Sequence, residues 1–147
     1  MKILITGGAG FVGSRLALAF RGDGAEVTAF DNLRRRGSET NLAPLSAAGV
    51  DFVHGDVRVR SDLEDVEGVF DLVVDASAEP SVHAGTTGSP AYVLETNLVG
   101  TLNCLELARK RAEALVFLST SRVDSVDPLR DLVVEESLSR LVLRDQQ

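Results

Sequence analysis

The chain has too little of several residue types to build staples, membrane spans or nucleic-acid faces. Its 147 residues contain one cysteine and no tryptophan, and aromatics make up only 5%. A lone thiol rules out a disulfide framework and a cysteine-rich metal site. Cys104 lies inside a helical pattern, where a buried core thiol is the expectation. No stretch approaches the roughly 18 apolar residues of a membrane span. The N-terminal apolar run, Lys2 to Thr6, is far too short for the core of a secretion signal, which points to a cytoplasmic protein. Bases are also scarce: 15 Lys and Arg stand against 22 Asp and Glu, a net charge of −7. Binding to nucleic acid by electrostatics needs a basic face, so a small ligand is the better expectation.

The remaining composition, 44% hydrophobic and 25% charged with 13 glycines, is ordinary for one soluble α/β core. Short β-rich apolar runs alternate with helical patterns, the mark of a parallel sheet covered on both faces. The strand candidates are Lys2 to Thr6, Glu26 to Phe30, Asp51 to His54, Leu72 to Asp75 and Leu115 to Ser119. This predicts a Rossmann-type open sheet of about five strands in the order 3-2-1-4-5. A first helix is expected over Phe11 to Arg21, with Val12, Leu16, Ala19 and Phe20 on one face. Shorter helices are expected over Asn41 to Ala48 and Arg60 to Val66, the latter capped by Ser61. The longest should run from Pro90 to the basic cluster Arg109-Lys110-Arg111, which suits its dipole. Residues 1–125 then form the domain. Residues 126–147 form an irregular tail with an amphipathic helix expected over Val134 to Arg144.

Chemistry concentrates after the first strand. Gly7, Gly8, Ala9, Gly10, Phe11, Val12 and Gly13 satisfy both a GxGxxG and a GxxGxxG spacing between a strand and a helix. Such a turn lets the backbone approach a pyrophosphate, which meets the unpaired N–H groups of the helix start. Asp31 closes the second strand 18 residues after Gly13, where a carboxylate can accept from the ribose hydroxyls of NAD. Arg34, Arg35 and Arg36 leave a clamp for the 2′-phosphate of NADP open as an alternative. A carboxylate at Asp31 would repel that phosphate, so NAD is the expected cofactor.

Taken together, the glycine turn, Asp31-Asn32-Leu33, His54-Gly55-Asp56-Val57-Arg58, Ser77 to Val82 and Asn97 to Leu102 give a sequence that resembles the extended short-chain dehydrogenase/reductase family of nucleotide-sugar epimerases and dehydratases. The likeness spans about residues 1–130. It implies that Asp56 and Val57 meet the adenine edge, and that Ala76, Ser77 and Ala78 run past the pyrophosphate and nicotinamide ribose. It also implies that Asn32 stands on the cofactor side, that Asn97 is a structural or cofactor-side asparagine, and that Thr120 hydrogen-bonds the oxygen of the reacting sugar carbon. Family members associate through the long helix, so a homodimer through residues 90–111 is expected.

Two departures accompany the likeness. Val123 is followed by Asp124 where the family carries tyrosine. The later Tyr-x-x-x-Lys pair, whose tyrosine is the family's general base, is not in these residues, and Tyr92 is followed four positions on by Thr96. The expectation is therefore an NAD(H)-binding part that lacks this base and the sugar-nucleotide domain, and that would take a nucleotide sugar only when completed by a C-terminal part. A non-catalytic NAD(H)-binding module and a fragment with no independent activity stand as alternatives.

Overall fold

The computed structural model describes residues 1–81, 83–86, 88–120, 127, 130 and 132–143. Five strands, β1 (Lys2–Thr6), β2 (Glu26–Asp31), β3 (Asp51–His54), β4 (Phe70–Asp75) and β5 (Ala112–Phe117), form one sheet in the order β3-β2-β1-β4-β5. Every pairing in it is parallel, as the alternation of patterns required. The crossovers carry helices α1 (Phe11–Gly22), α2 (Leu42–Ala47) and α3 (Arg60–Glu64), and the long helical segment before β5.

Period-two side-chain alternation divides the core. Ile3 and Ile5 point to one face, packing with Ala17, Ala29, Leu45 and Val74. Leu4 points to the other, with Phe30, Val73, Cys104 and Leu107. Both faces are buried, so the strands read as continuous apolar runs. Cys104 is fully buried, as expected.

Several boundaries differ from expectation. β5 begins at Ala112 and ends at Phe117, earlier than Leu115 to Ser119. Its register is set by β4, which starts at Phe70, so that Phe70 opposes Ala112 and Asp75 opposes Phe117. The long helix comprises α4 (Ala91–Leu94), a π-helical stretch (Glu95–Gly100) and α5 (Thr101–Arg111). At Gly100 a Cβ would stand 2.8 Å from Val57 Cγ2, and the widened stretch turns Thr96 into the interior. Ser61 is not an N-cap: α3 starts at Arg60 after Val59. The second helix is preceded by a 3₁₀ turn, Ser38–Asn41.

The tail gives the largest correction. Residues expected to form a helix over Val134 to Arg144 instead make two antiparallel strands, β6 (Val134–Glu136) and β7 (Leu141–Leu143). Ser137 N–H donates to the Arg140 carbonyl at 2.9 Å, closing the turn between them. Leu138, which a helix would have placed on its apolar face, sits fully exposed in that turn. An amphipathic helix of this length is marginal without a surface to cover, and two short β-rich runs flanking a Ser-x-Ser turn pair locally instead. Arg144 lies outside the described residues.

Candidate functional site

A cleft opens at the carboxyl ends of β1 to β4, where the strand order reverses between β1 and β4 and open α/β sheets receive ligands. Of the residues singled out in the sequence, Gly7, Gly10, Asp31, Asn32, Arg34, Arg35, Val57, Ala76, Ser77 and Ala78 line it. They come together because each ends a strand or begins the loop after one.

The glycine turn is closed by main-chain contacts. Gly7 adopts φ +66°, and a Cβ there would lie 2.6 Å from the Ala76 carbonyl oxygen. Gly10 N–H donates to the Gly7 carbonyl at 2.9 Å. A Cβ on Gly13 would drive into that same carbonyl oxygen, so Gly13 holds α1 against the turn and does not line the cleft. At Gly10 the only neighbour of an added Cβ is Gly7 O at 3.0 Å, and Gly10 itself lines the cleft. Gly8 and Ala9 are buried, whereas Phe11 and Val12 are exposed on α1.

Asp31 ties the turn to the second strand. Ala9 N–H donates to its Oδ2 at 3.1 Å and Leu33 N–H to its Oδ1 at 2.8 Å. Each oxygen keeps a lone pair. Asn41, unremarked in the sequence, donates from Nδ2 to the Ala9 carbonyl at 2.8 Å and braces the turn from the 3₁₀ segment.

Asp56 is more heavily engaged. Arg58 makes a two-pronged contact with its carboxylate, Nη2 to Oδ2 at 2.6 Å and Nε to Oδ1 at 2.9 Å, and Asn32 Nδ2 donates to Oδ2 at 2.9 Å. The Arg58 hydrogen bond holds the Asp56 carboxyl well below the usual carboxylate range, and the same contact raises the Arg58 guanidinium. Sequence likeness implied a carboxylate facing a ligand. In the structure its acceptor positions are occupied from within the chain, and Asp56 locks the β2 and β3 loops together.

Asn97 likewise works on the chain. Glu79 N–H donates to Asn97 Oδ1 at 2.8 Å, which fixes the loop after β4. Beneath that loop the buried Asp75 Oδ1 accepts from Thr6 Oγ1 at 2.7 Å and from Ser77 Oγ at 2.6 Å. Burial, chiefly, pushes the nearby Cys104 thiol up to about 12. Thr120 follows β5 and is exposed. Ser121 and the Val123-Asp124 step lie outside the described residues.

Sequence reasoning missed Ser38, Glu79, Tyr92 and Thr96, all on the cleft wall. Tyr92 and Thr96 are four residues apart in the long helical segment, and that spacing was the available signal. Thr96 is 9% exposed, and its Oγ1 has no hydrogen-bond partner among the described residues. Arg35 Nη1 lies 3.8 Å from Glu79 Oε1, bridging the loops after β2 and β4.

The chain is 36% identical over 132 residues to CDP-paratose 2-epimerase of Salmonella typhi, covering 84% of this chain and 38% of that protein. It is 39% identical over 131 residues to dTDP-glucose 4,6-dehydratase of Streptomyces niveus, covering 84% and 39%. The crystal structure of UDP-glucose 4-epimerase from Bifidobacterium longum in complex with NAD+ and UDP superposes with a TM-score of 0.74 at 26% identity, over 84% of this chain and 38% of that one. The chain thus spans under two fifths of the length of these relatives. No helix among the described residues is long and apolar enough to cross a membrane. With residues 3–135 matching the family model, and with the strand order and glycine turn on which the likeness rests, the chain belongs to the NAD dependent epimerase/dehydratase family.

Proposed function

We propose that the cleft binds NAD and that the chain is the cofactor-binding part of a nucleotide-sugar epimerase or dehydratase. The observation that carries this is the closed turn at Gly7, Gly10 and Gly13, set at the start of α1 and tied to the Asp31 carboxylate. The cofactor fits these residues. A side chain at Gly10 would fill the cradle, and the buried, unpartnered Thr96 Oγ1 offers a polar contact inside it.

The backbone at Gly7 and Gly10, with the first-turn N–H groups of Phe11 and Val12, takes the pyrophosphate, while Gly8, Ala9 and Gly13 hold the turn in shape behind it. Asp31, with one lone pair left on each oxygen, accepts from the adenosine ribose, and Asn32 lines the same end. Val57 meets the adenine, with Asp56 as the brace beneath it. Ala76, Ser77 and Ala78 run along the pyrophosphate and nicotinamide ribose, on a loop held by Asn97. Thr120 stands at the sugar side of the sheet edge. Bound NAD supplies hydride acceptance and return, and the chain's own contribution is to orient it. The domain assignment follows: residues 1–125 form the cofactor-binding unit, and the β6–β7 hairpin lies beyond it.

The only tyrosine, Tyr92, lies at the β2–β3 end of the cleft beside Arg34, so it cannot serve as the family's Tyr-x-x-x-Lys base. This favours, as a second reading, an NAD(H)-binding module without turnover of its own. Calorimetric and thermal-shift titration with NAD and NADP tests the first proposal. A hundredfold excess of NAD over its dissociation constant adds about 2.7 kcal/mol, roughly 5–10 °C for a chain of this size. No response to millimolar NAD, or a larger one to NADP, would sink it. Incubation with NAD and a panel of CDP-, UDP- and GDP-sugars tests the second. Sugar products from the chain alone would overturn it.

A further inference from the structure

At the end of β4 three donors converge on one carboxylate oxygen. Asp75 Oδ1 accepts from Thr6 Oγ1 at 2.7 Å, from Ser77 Oγ at 2.6 Å and from the Ser77 N–H at 3.1 Å. Its Oδ2 is buried and has no hydrogen-bond partner among the described residues. Asp75 is 1% exposed, and it enters no ion pair among the described residues. We infer that Asp75 is a buried negative charge that makes the cleft prefer the oxidised, cationic nicotinamide of NAD+ to the uncharged ring of NADH. This preference rests on the NAD reading of the cleft and adds the redox form that the cleft selects.

Hydrogen bonding supports the charge. Three donors on one oxygen suit an ionised carboxylate, which only accepts, whereas an acid proton on Oδ2 would have no acceptor. The neighbouring thiol registers it: after burial, the Asp75 charge is the next cause that pushes Cys104 up. Asp56 shows the contrast. Its carboxylate is answered by the Arg58 guanidinium, so its charge is neutralised within the chain, while that of Asp75 is not. A buried charge without a counter-ion is costly, and a cation brought in by a ligand relieves it.

Ser77 connects this charge to a ligand, because it lines the cleft while its hydroxyl proton is committed to Asp75. Toward the cleft it therefore offers lone pairs only. A group resting on Ser77 Oγ at a hydrogen-bond length of about 3 Å lies within about 6 Å of the carboxylate. Phosphate oxygens are repelled there and are better met by the N–H groups at the glycine turn. The two nicotinamide rings have nearly the same size, so packing cannot tell them apart, but a fixed charge can. At separations of about 6–10 Å and an effective dielectric constant of a few tens, one charge changes the affinity for a cation by about three- to tenfold. A ring that is attracted only while oxidised returns hydride more readily, which suits a cofactor that accepts and returns hydride in one site.

Calorimetric titration of the wild-type chain with NAD+, NADH and ADP-ribose reads the preference. NAD+ should bind about three- to tenfold more tightly than NADH, and NADH binding as tightly as NAD+ or more tightly overturns the inference. Asp75→Asn removes the charge and keeps an oxygen for Thr6 and Ser77 to donate to. In that variant the two redox forms should bind within about twofold of each other, with NADH and ADP-ribose, which lack the cationic ring, bound as well as before or better. Ser77→Ala, which loses the hydroxyl and keeps the charge, should retain the wild-type ratio even where both affinities drop. A purely structural role for Asp75 would weaken all three ligands by one factor. That outcome, or an unchanged ratio in Asp75→Asn, overturns the charge and leaves the NAD proposal standing. Melting curves establish that each variant is folded, and the smaller neutral Asp75→Ser takes the place of an Asp75→Asn that is not. Absence of NAD+ and NADH binding to the wild-type chain refutes the proposed function and this preference with it.

Discussion

Three glycine-to-alanine substitutions in and beside α1 separate what the turn does for the fold from what it does for a ligand. At Gly13 the added methyl meets the Gly7 carbonyl oxygen and crowds Gly8 Cα at 2.9 Å. That carbonyl cannot swing away, because it accepts from Gly10 N–H and Gly7 is itself pressed against Ala76. Over-packing of this kind costs about 1–3 kcal/mol. The helical gain of alanine over glycine returns up to about 1 kcal/mol, so the net loss should be roughly 1–2 kcal/mol, or about 2–8 °C in Tm. At Gly22, in the last turn of the same helix, nothing lies within 4 Å of an added Cβ, and the helical gain should appear alone as a rise of about 1–3 °C. At Gly10 the backbone is extended, with φ −69° and ψ 174°, and the nearest atom is 3.0 Å away. Alanine there should leave Tm within about 2 °C while filling cradle space, so that NAD binding falls at least tenfold and Gly10→Val abolishes it. The assays are thermal melts by circular dichroism without ligand, followed by NAD titration. Gly13→Ala melting at or above wild type would refute the packing account. Gly10→Val binding NAD as wild type does would refute the assignment of the cradle.

Three further expectations concern other sites. Cys104 is fully buried and its thiol is pushed up to about 12, so a disulfide reagent at pH 8 should label it only as fast as the chain unfolds; stoichiometric labelling within seconds under native conditions would contradict that. Asp56 has its carboxyl depressed by Arg58, so it contributes stability that is fully present above the unfolded carboxylate value near 4 and is lost as pH falls through the lower folded value. Acid denaturation of Asp56→Asn should therefore show a shallower loss below pH 4 than wild type, and identical pH profiles would count against the brace. Leu94, Leu98, Leu102 and Leu105 recur at helical spacing and are about half exposed or more, so sedimentation at tens of micromolar should show self-association that Leu98→Lys with Leu102→Glu removes. A stable wild-type monomer would argue against association through residues 90–111.

The amino-acid sequence by itself determined the layered architecture. Runs such as Lys2 to Thr6 are apolar on both faces, and a strand with no polar face has to lie in a sheet covered on both sides. The glycine turn and Asp31 were equally legible, because the demand for a missing Cβ and for a carboxylate at a strand end is local to the chain. Tertiary structure decided where each polar atom spends its hydrogen bonds. Asp56 read as a carboxylate for a ligand, yet Arg58 and Asn32 occupy it. For Asn97 the sequence left a structural and a cofactor-side role open, and the folded chain gives it the Glu79 N–H to hold. Tyr92 and Thr96 carried no motif beyond their four-residue spacing, and only the packing of the long helical segment over the sheet puts them on the cleft wall. The tail's β pairing was likewise beyond the pattern: apolar spacing suits helix and hairpin alike over so short a stretch, and the choice depends on whether another surface is there to cover. Pattern fixes what a residue needs buried, while the folded chain alone fixes which neighbours arrive to satisfy it.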